Sequence, residues 1–294
     1  MADSVVSVAA TGAVRTGIKK PVLRYYGGKF RLAPWVISHF PAHRRYVEPF
    51  GGAASVLLLK QPAYTEIYND LDRSMFSFFS VVRDPVQCAE LERLLRSTPY
   101  SRDEFVLARE PAEDAIEAAR RLCVRSYMGY GTSGLRCRDT GFRTEFNDLH
   151  KLKSQLISFR SLADRLPEIR ERLVDVLLEN RPASELMALI EDDQSLIYCD
   201  PPYPLSARSG KSKEYEFEMD DDEHAEIVEQ LRVHPSMIAV SGYPGSVYDS
   251  LGWDEFERPH FTLMGAVRSE RLWLNPLASE RLGMRQLDLF GEFL

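Results

Sequence analysis

Four short groups of residues in this 294-residue sequence have the types and order to build a small-molecule site. Three of them follow apolar runs that read as buried strands. The run at 45–50 passes into Glu48-Pro49-Phe50-Gly51-Gly52-Ala53-Ala54-Ser55, where glycines let a backbone approach a ligand closely. The run at 65–68 ends in Asn69-Asp70, a carboxylate placed to hold the two hydroxyls of a ribose. The run at 195–199 ends in Asp200-Pro201-Pro202-Tyr203, a carboxylate and an aromatic ring on a loop stiffened by proline. Upstream, Arg24-Tyr25-Tyr26-Gly27-Gly28-Lys29 sets aromatics, glycines and a base just before a helix. Ligands of open α/β sheets bind beyond the carboxyl ends of the strands, which would bring these groups together. Two common alternatives fail on spacing: the Gly-x-x-x-x-Gly-Lys-Ser/Thr phosphate loop and the Gly-x-Gly-x-x-Gly nicotinamide fingerprint are both absent.

The elements that must position these groups follow from the pattern of apolar runs. Further strands are predicted at 237–241, 256–263 and 270–274, the last two as a hairpin across Met264-Gly265-Ala266. Helices are predicted at 32–39, 71–82 and 225–231. Alternating strands and helices imply an α/β fold with a mostly parallel sheet covered on both faces. Between 85 and 182 the pattern turns helical and charged, with helices at 86–96, 112–127 and 149–166 and a Gly-rich loop at 129–134. The chain therefore divides into a flexible tail (1–18), a catalytic domain in two pieces (19–84 and 183–276), an inserted domain (85–182) and a C-terminal tail (277–294).

Composition narrows the function classes. No apolar run approaches the roughly 20 residues of a membrane span, and the N-terminal stretch lacks the pattern of a signal peptide, so a cytoplasmic protein with no membrane partner is expected. Cys88, Cys123, Cys137 and Cys199 are widely spaced and the six histidines show no ligand spacing, so neither a disulfide framework nor a metal is expected. The net charge is −7, but charge is unevenly spread. Residues 120–160 hold nine Lys or Arg against three acids, whereas residues 214–229 hold nine acids and no base. Such a basic stretch suits a nucleic-acid-facing surface, although a solvated face has the same composition.

Taken in order, these motifs resemble the Dam-type (D12 class) site-specific DNA adenine N6-methyltransferases, over about residues 23–276. Ser241-Gly242-Tyr243 matches as well, and Leu272-Trp273-Leu274-Asn275-Pro276 is similar to the closing strand of phage and prophage members. The resemblance implies a Rossmann-like S-adenosyl-L-methionine-dependent methyltransferase fold with an inserted, mainly helical target-recognition domain. It implies transfer of a methyl group to N6 of an adenine flipped out of double-stranded DNA. Asp200, Pro201, Pro202 and Tyr203 would then be catalytic. Adenine N6 is a poor nucleophile because its lone pair is delocalised, and the Asp200 carboxylate with the Pro201 carbonyl would accept both its hydrogens and localise that pair. Tyr203 would offer an aromatic face to the base. Tyr25, Tyr26, Gly28, Lys29, Glu48, Phe50, Gly51, Asp70 and Asp200 would surround the cofactor. RNA adenine methyltransferases are the nearest rival, but they more often carry Asn in place of Asp200.

Two departures from the family stand out. Ala54 replaces the second glycine of the Gly-x-Gly turn, and Tyr25 stands where bacterial housekeeping enzymes have tryptophan. In the insertion, Arg125, Tyr130, Arg136, Arg138 and Arg143 are the candidates for DNA contact, by phosphate grip or by reading guanine edges. Tyr127, Tyr130, Phe142 and Phe146 would either wedge the duplex or pack a core. The loop at 127–143 does not reproduce the hairpin of enzymes that methylate GATC, so that specificity is not carried over. Near the C-terminus, Gln286-Leu287-Asp288-Leu289-Phe290 resembles the pentapeptide with which bacterial DNA-processing proteins dock on the sliding clamp. Leu289 and Phe290 would fill its apolar pocket while Gln286 supplies a directional hydrogen bond.

Overall fold

A computed structural model describes residues 17–25, 27–131, 141–203, 217–261 and 267–291, with side chains except at 260, 261, 267, 268 and 285–291. Its strands are β1 (Arg45–Glu48), β2 (Thr65–Asn69), β3 (Val176–Glu179), β4 (Ser195–Cys199), β5 (Met237–Gly242), β6 (Asp254–Phe261) and β7 (Val267–Leu274). They form a seven-stranded sheet in the order β3-β2-β1-β4-β5-β7-β6. The pairings from β3 across to β5 are parallel, while β7 runs antiparallel between β5 and β6. This is the α/β architecture with a mostly parallel sheet that the pattern of apolar runs implies.

Every residue of β4 and β5 is buried, as continuous apolar runs demand when both faces of a parallel strand are covered. The side-chain alternation of the strands splits the core in two. Tyr46, Leu196, Tyr198, Ala239 and Leu272 face one layer, and Val47, Ile197, Cys199, Ile238 and Trp273 face the other. Helices α1 (Ala33–Ser38), α2 (Ser55–Leu59) and α3 (Arg73–Arg83) cover the first face. So do α4 (Pro85–Ser97), α5 (Arg102–Leu107), α6 (Ala115–Met128), α7 (Leu149–Ala163) and α8 (Leu166–Leu173). The second is covered by α9 (Ala183–Ala188) and α10 (Asp221–Val233), while α11 (Pro276–Gly291) follows the last strand.

Capping residues set most helix starts within a few residues of where apolar periodicity places them. Asp72, Asp84, Ser101, Asp114 and Asp148 each accept a backbone N–H at the head of their helix, and Asp220 forms a capping box with Glu223. The helix expected over 149–166 ends at Ala163, and a second one begins at Leu166, whose next residue Pro167 cannot sit inside a continuing helix. Strand β3 lies within the stretch read as insertion. It pairs parallel with β2, so the sheet takes up the chain again from Val176. Its burial alternates, with Leu177 exposed and only four residues in length, which gives too little apolar signal to stand out between charged neighbours. The helical segment also shares one core with the sheet: Leu91, Leu122 and Phe159 belong to the same cluster as Tyr46 and Phe79. Among the described residues, no helix is long and apolar enough to cross a membrane.

Candidate active site

The chain winds outward from β1 through β2 to β3 and, on the other side, from β4 to β5. Between β1 and β4 the direction of winding reverses, and a crevice opens beyond their carboxyl ends. Glu48 closes β1, Asp70 follows β2 and Asp200 follows β4, so the topology delivers three carboxylates to one mouth. A cavity of about 230 Å³ lies there. Of the residues singled out in sequence, Tyr25, Gly28, Lys29, Glu48, Phe50 and Gly51 line it, as do Asp70, Asp200 and Pro202. Phe217, Met219 and Ile227 contribute an apolar wall. Pro201 and Tyr203 are buried beside this lining rather than in it, and Tyr26 lies outside the described residues.

The turn after β1 is shaped by contacts only small residues allow. A Cβ at Gly51 would collide with the ring of Tyr68, and Gly52 has φ 47°. Asp70 fastens this turn: one of its oxygens accepts from Gly52 N at 2.7 Å and the other from Asp72 N at 2.8 Å. Burial raises the Asp70 pKa to about 7 despite these two donors. Glu48 is buried at the end of β1 and accepts from Leu57 N at 3.1 Å and the Tyr46 hydroxyl at 3.3 Å. Burial, then the nearby charge of Asp200, pushes Glu48 up to about 8.

Lys29 is the one cation at this mouth among the cavity's described lining residues, and it is buried. Its Nζ donates to Asp200 Oδ1 at 2.7 Å, to the Tyr203 hydroxyl oxygen, and lies 3.2 Å from Glu270 Oε1. The Tyr203 hydroxyl donates to the Glu270 carboxylate, at 3.0 and 3.2 Å from its two oxygens. Burial works to strip Lys29 of its proton, but Asp200 and Glu270 outweigh it and hold the pKa well above the ordinary value. Asp200 is raised to about 6, by burial first, with Lys29 opposing and Glu270 adding to the rise. The Tyr203 ring stacks on Tyr243 with centroids 4.2 Å apart, so Tyr243 covers one of its faces.

Sequence reasoning missed Glu270. Its signal was a carboxylate at the same alternating position of β7 as the buried Leu272 and Leu274, where a leucine-like residue is expected. Tyr243 was noticed as part of a motif, but not as the stacking partner of Tyr203.

The basic stretch resolves into two kinds of residue. Arg120 bonds Glu117 and Glu104, and Arg121 bonds Glu117 and two backbone carbonyls, so both are spent inside the helical segment. Arg125 donates to the Ala108 carbonyl at 2.6 Å. Tyr127 is buried, donating to the carbonyls of Pro21 and Val22, and Phe142 packs against Tyr100 and Phe105. Tyr130 and Phe146 are exposed. Arg143 lies near Arg24, whose Nη1 is buried with no hydrogen-bond partner among the described residues. Burial, then Arg143, lowers the Arg24 pKa, and neither arginine has an ion-pair partner among the described residues. Arg136 and Arg138 lie outside the described residues, and Gln286, Leu287, Leu289 and Phe290 fall on the backbone of α11 without described side chains.

Comparison with known proteins bears on this geometry directly. A family model described as D12 class N6 adenine-specific DNA methyltransferase matches residues 25–253. The chain is 29% identical to DNA adenine methylase of Escherichia coli (strain K12) over 218 residues, 71% of this chain and 75% of that protein. It is 28% identical to DNA adenine methylase of Salmonella typhi over 230 residues, 75% of this chain and 80% of the relative. With DNA adenine methylase of Serratia marcescens it shares 29% identity over 196 residues, 63% of this chain and 67% of the relative.

Proposed function

The chain belongs to the D12 class of N6 adenine-specific DNA methyltransferases, and on that premise we propose how its residues divide the work of methylating adenine N6 in DNA. The observation that carries the assignment is the Lys29–Asp200 ion pair beside the cavity at the carboxyl ends of β1 and β4. The donor set fits S-adenosyl-L-methionine. Glycine backbone, the Phe50 and Ile227 side chains and a carboxylate held by two amides suit its ribose and apolar parts. Glu48, Asp70 and Asp200 outnumber Lys29, and their raised pKa values mark a site short of positive charge, which a cationic ligand would supply. When bound, the cofactor supplies a methyl group activated by its sulfonium.

The chain's own residues prepare the acceptor. Lys29 occupies Asp200 Oδ1, and the remaining carboxylate oxygen with the Pro201 carbonyl accepts the two hydrogens of the target amino group. Pro202 keeps these acceptors in place before the base arrives, so no reorganisation is needed at the moment of transfer. The target base stacks beside Tyr203 and Tyr243 after leaving the duplex. Tyr25, Tyr26, Gly28, Glu48, Phe50, Gly51 and Asp70 hold the cofactor.

Residues 19–84 and 183–276, with β3 added at the sheet edge, act as the catalytic unit, and the helical segment presents the DNA. Arg143 and Tyr130, with Arg136, Arg138 and Arg125, contact the duplex there. The neighbouring Arg24 and Arg143 support this: among the described residues neither has a carboxylate partner, and two such guanidinium groups suit an anionic backbone. Gln286, Leu287, Leu289 and Phe290 dock on the sliding clamp in a bacterial or phage-infected cytoplasm. A peptide covering residues 285–294 binds the clamp and its Phe290→Ala version does not; absence of binding at high micromolar concentration overturns this.

The central test is transfer of labelled methyl from S-adenosyl-L-methionine to unmethylated genomic DNA, comparing wild type with Asp200→Ala, followed by mapping of the modified adenines. Methylation that disappears in a variant that still folds is expected. Equal transfer by both proteins overturns the site, and transfer to RNA alone overturns the substrate.

A further inference from the structure

Glu270 is 1% exposed, on a strand whose neighbouring inward positions are Leu272 and Leu274. A carboxylate in such surroundings is strongly unfavourable unless its oxygens are bonded, and here both are near the Tyr203 hydroxyl, with Lys29 close to one. These partners come from separate parts of the chain. Lys29 precedes α1, Tyr203 follows β4, and β5 lies between β4 and β7 in the sheet. Glu270 therefore ties three backbone segments at one point, next to the carboxylate on which the reaction depends.

The hydrogen-bond geometry of Lys29 gives this tie a consequence. An ammonium has three hydrogens, and Lys29 shares them among Asp200 Oδ1 at 2.7 Å, the Tyr203 oxygen and the Gly27 carbonyl at 3.4 Å, with Glu270 Oε1 forming an ion pair at 3.2 Å. With these acceptors engaged and the Glu270 charge alongside, the lysine meets Asp200 through a single oxygen. Without the Glu270 charge, the whole ammonium is drawn to Asp200, which is then more fully neutralised and less able to accept from an amino group. Building on the site assigned above, the geometry points to Glu270 as a positioning residue for methyl transfer: by sharing Lys29 with Asp200 and holding the Tyr203 hydroxyl, it keeps one Asp200 oxygen available to the target adenine.

Glu270→Gln keeps the shape and removes the charge. Its expected effect is a kcat ~10–100-fold lower, the range for a small misplacement of a reacting group, with KM for S-adenosyl-L-methionine little changed. The acid limb of the pH profile also moves to lower pH, because the Glu270 charge is one of the causes that raise Asp200. Around Asp200 the other groups that act on it or respond to it are Lys29, Glu48, Tyr198, Cys199 and Tyr248, and all five remain in the variant. Melting temperature and cofactor binding are measured on the same preparation. Wild-type kcat, or a lower kcat whose acid limb does not move, overturns the proposal. Should Glu270→Gln fail to fold, Tyr203→Phe removes the hydroxyl that Glu270 holds and carries the same expected fall in kcat; wild-type kcat there overturns it equally. Activity that survives Asp200→Ala defeats the site itself, whereas an inactive Asp200→Ala beside an unaffected Glu270→Gln defeats only this inference.

Discussion

Two buried lysines sit at opposite edges of the same sheet, and their surroundings are charged in opposite senses. Lys60 lies near the amino ends of β1 and β2, fully buried, with Nζ 4.5 Å from the Tyr46 ring centroid and bonded to Glu66. Arg172 takes the other Glu66 oxygen and the Leu57 carbonyl, so two cations share one carboxylate. Burial alone would raise Glu66, but Lys60 and Arg172 outweigh it and lower its pKa; burial brings Lys60 down to about 8. At the carboxyl edge the ratio inverts: Lys29 stands between Asp200 and Glu270, with Glu48 and Asp70 close by, and all four acids are raised. The amino edge carries more cation than carboxylate, with both Glu66 oxygens bonded, and this cluster holds the fold together. The carboxyl edge is left short of positive charge and of donors, the condition in which it can receive a cationic cofactor and an amino group.

The largest stability effect should therefore come from the edge that does no chemistry. Glu66→Ala leaves Lys60 and Arg172 buried with no carboxylate between them. Removing one partner of a buried pair is destabilising by about 3–5 kcal/mol, so a large drop in the urea midpoint is expected with little change in kcat per folded molecule. Asp200→Ala should do the reverse, abolishing methyl transfer at nearly unchanged stability. A Glu66→Ala protein as stable as wild type would dissolve the distinction between the edges.

Acidification separates the two edges in one titration. Asp200 must be ionised to accept a hydrogen bond from the amino group, so kcat/KM should fall as pH drops through about 6. Stability follows the other sign. The folded-state pKa values of Asp200 (about 6) and Asp70 (about 7) exceed their ordinary value of 3.8, so the folded state binds more protons in that window. Their contribution to stability increases as pH falls from about 7 towards 4. Glu66 has a lowered folded-state pKa, so its contribution is complete above 4.5 and is lost only as pH falls through that lowered value. At pH 5.5 the protein should be largely inactive yet as well folded as at neutrality. Activity and melting temperature falling together between pH 7 and 5.5 would contradict this.

How far each edge could be read from the sequence follows from the same contrast. The residues of the carboxyl edge sit at the ends of apolar strands or directly after them, where Glu48, Asp70 and Asp200 interrupt a hydrophobic pattern, and their order was legible as a motif. Glu270 was not, because its partners Lys29 and Tyr203 are 241 and 67 residues away in the chain and only the sheet order brings them together. Lys60, Glu66 and Arg172 gave no signal either, since Arg172 reaches Glu66 from α8 across 106 residues. Arg120 and Arg121 counted towards a basic surface in sequence, yet their local acids Glu104 and Glu117 absorb them. Charge totals record what a segment contains, whereas its folded neighbours decide what it presents.

The smallest expected effect lies at the carboxyl edge, where the backbone itself departs from rest. Ala54, the residue before α2, has φ 52° and ψ 32°, and it is the one described non-glycine residue with positive φ. A left-handed conformation costs a residue with a Cβ about 1–2 kcal/mol, and the greater freedom of glycine in the unfolded chain offsets about 0.5–1 of that. Ala54→Gly should therefore stabilise the protein by ~0.5–1 kcal/mol, measured by urea denaturation. The turn it belongs to is fastened at Gly52 by Asp70, so cofactor affinity should shift with it by no more than a few-fold. A destabilised Ala54→Gly would mean that the alanine methyl contributes more to packing under the turn than its conformation costs. The carboxyl edge would then be strained in its charges but not in its backbone.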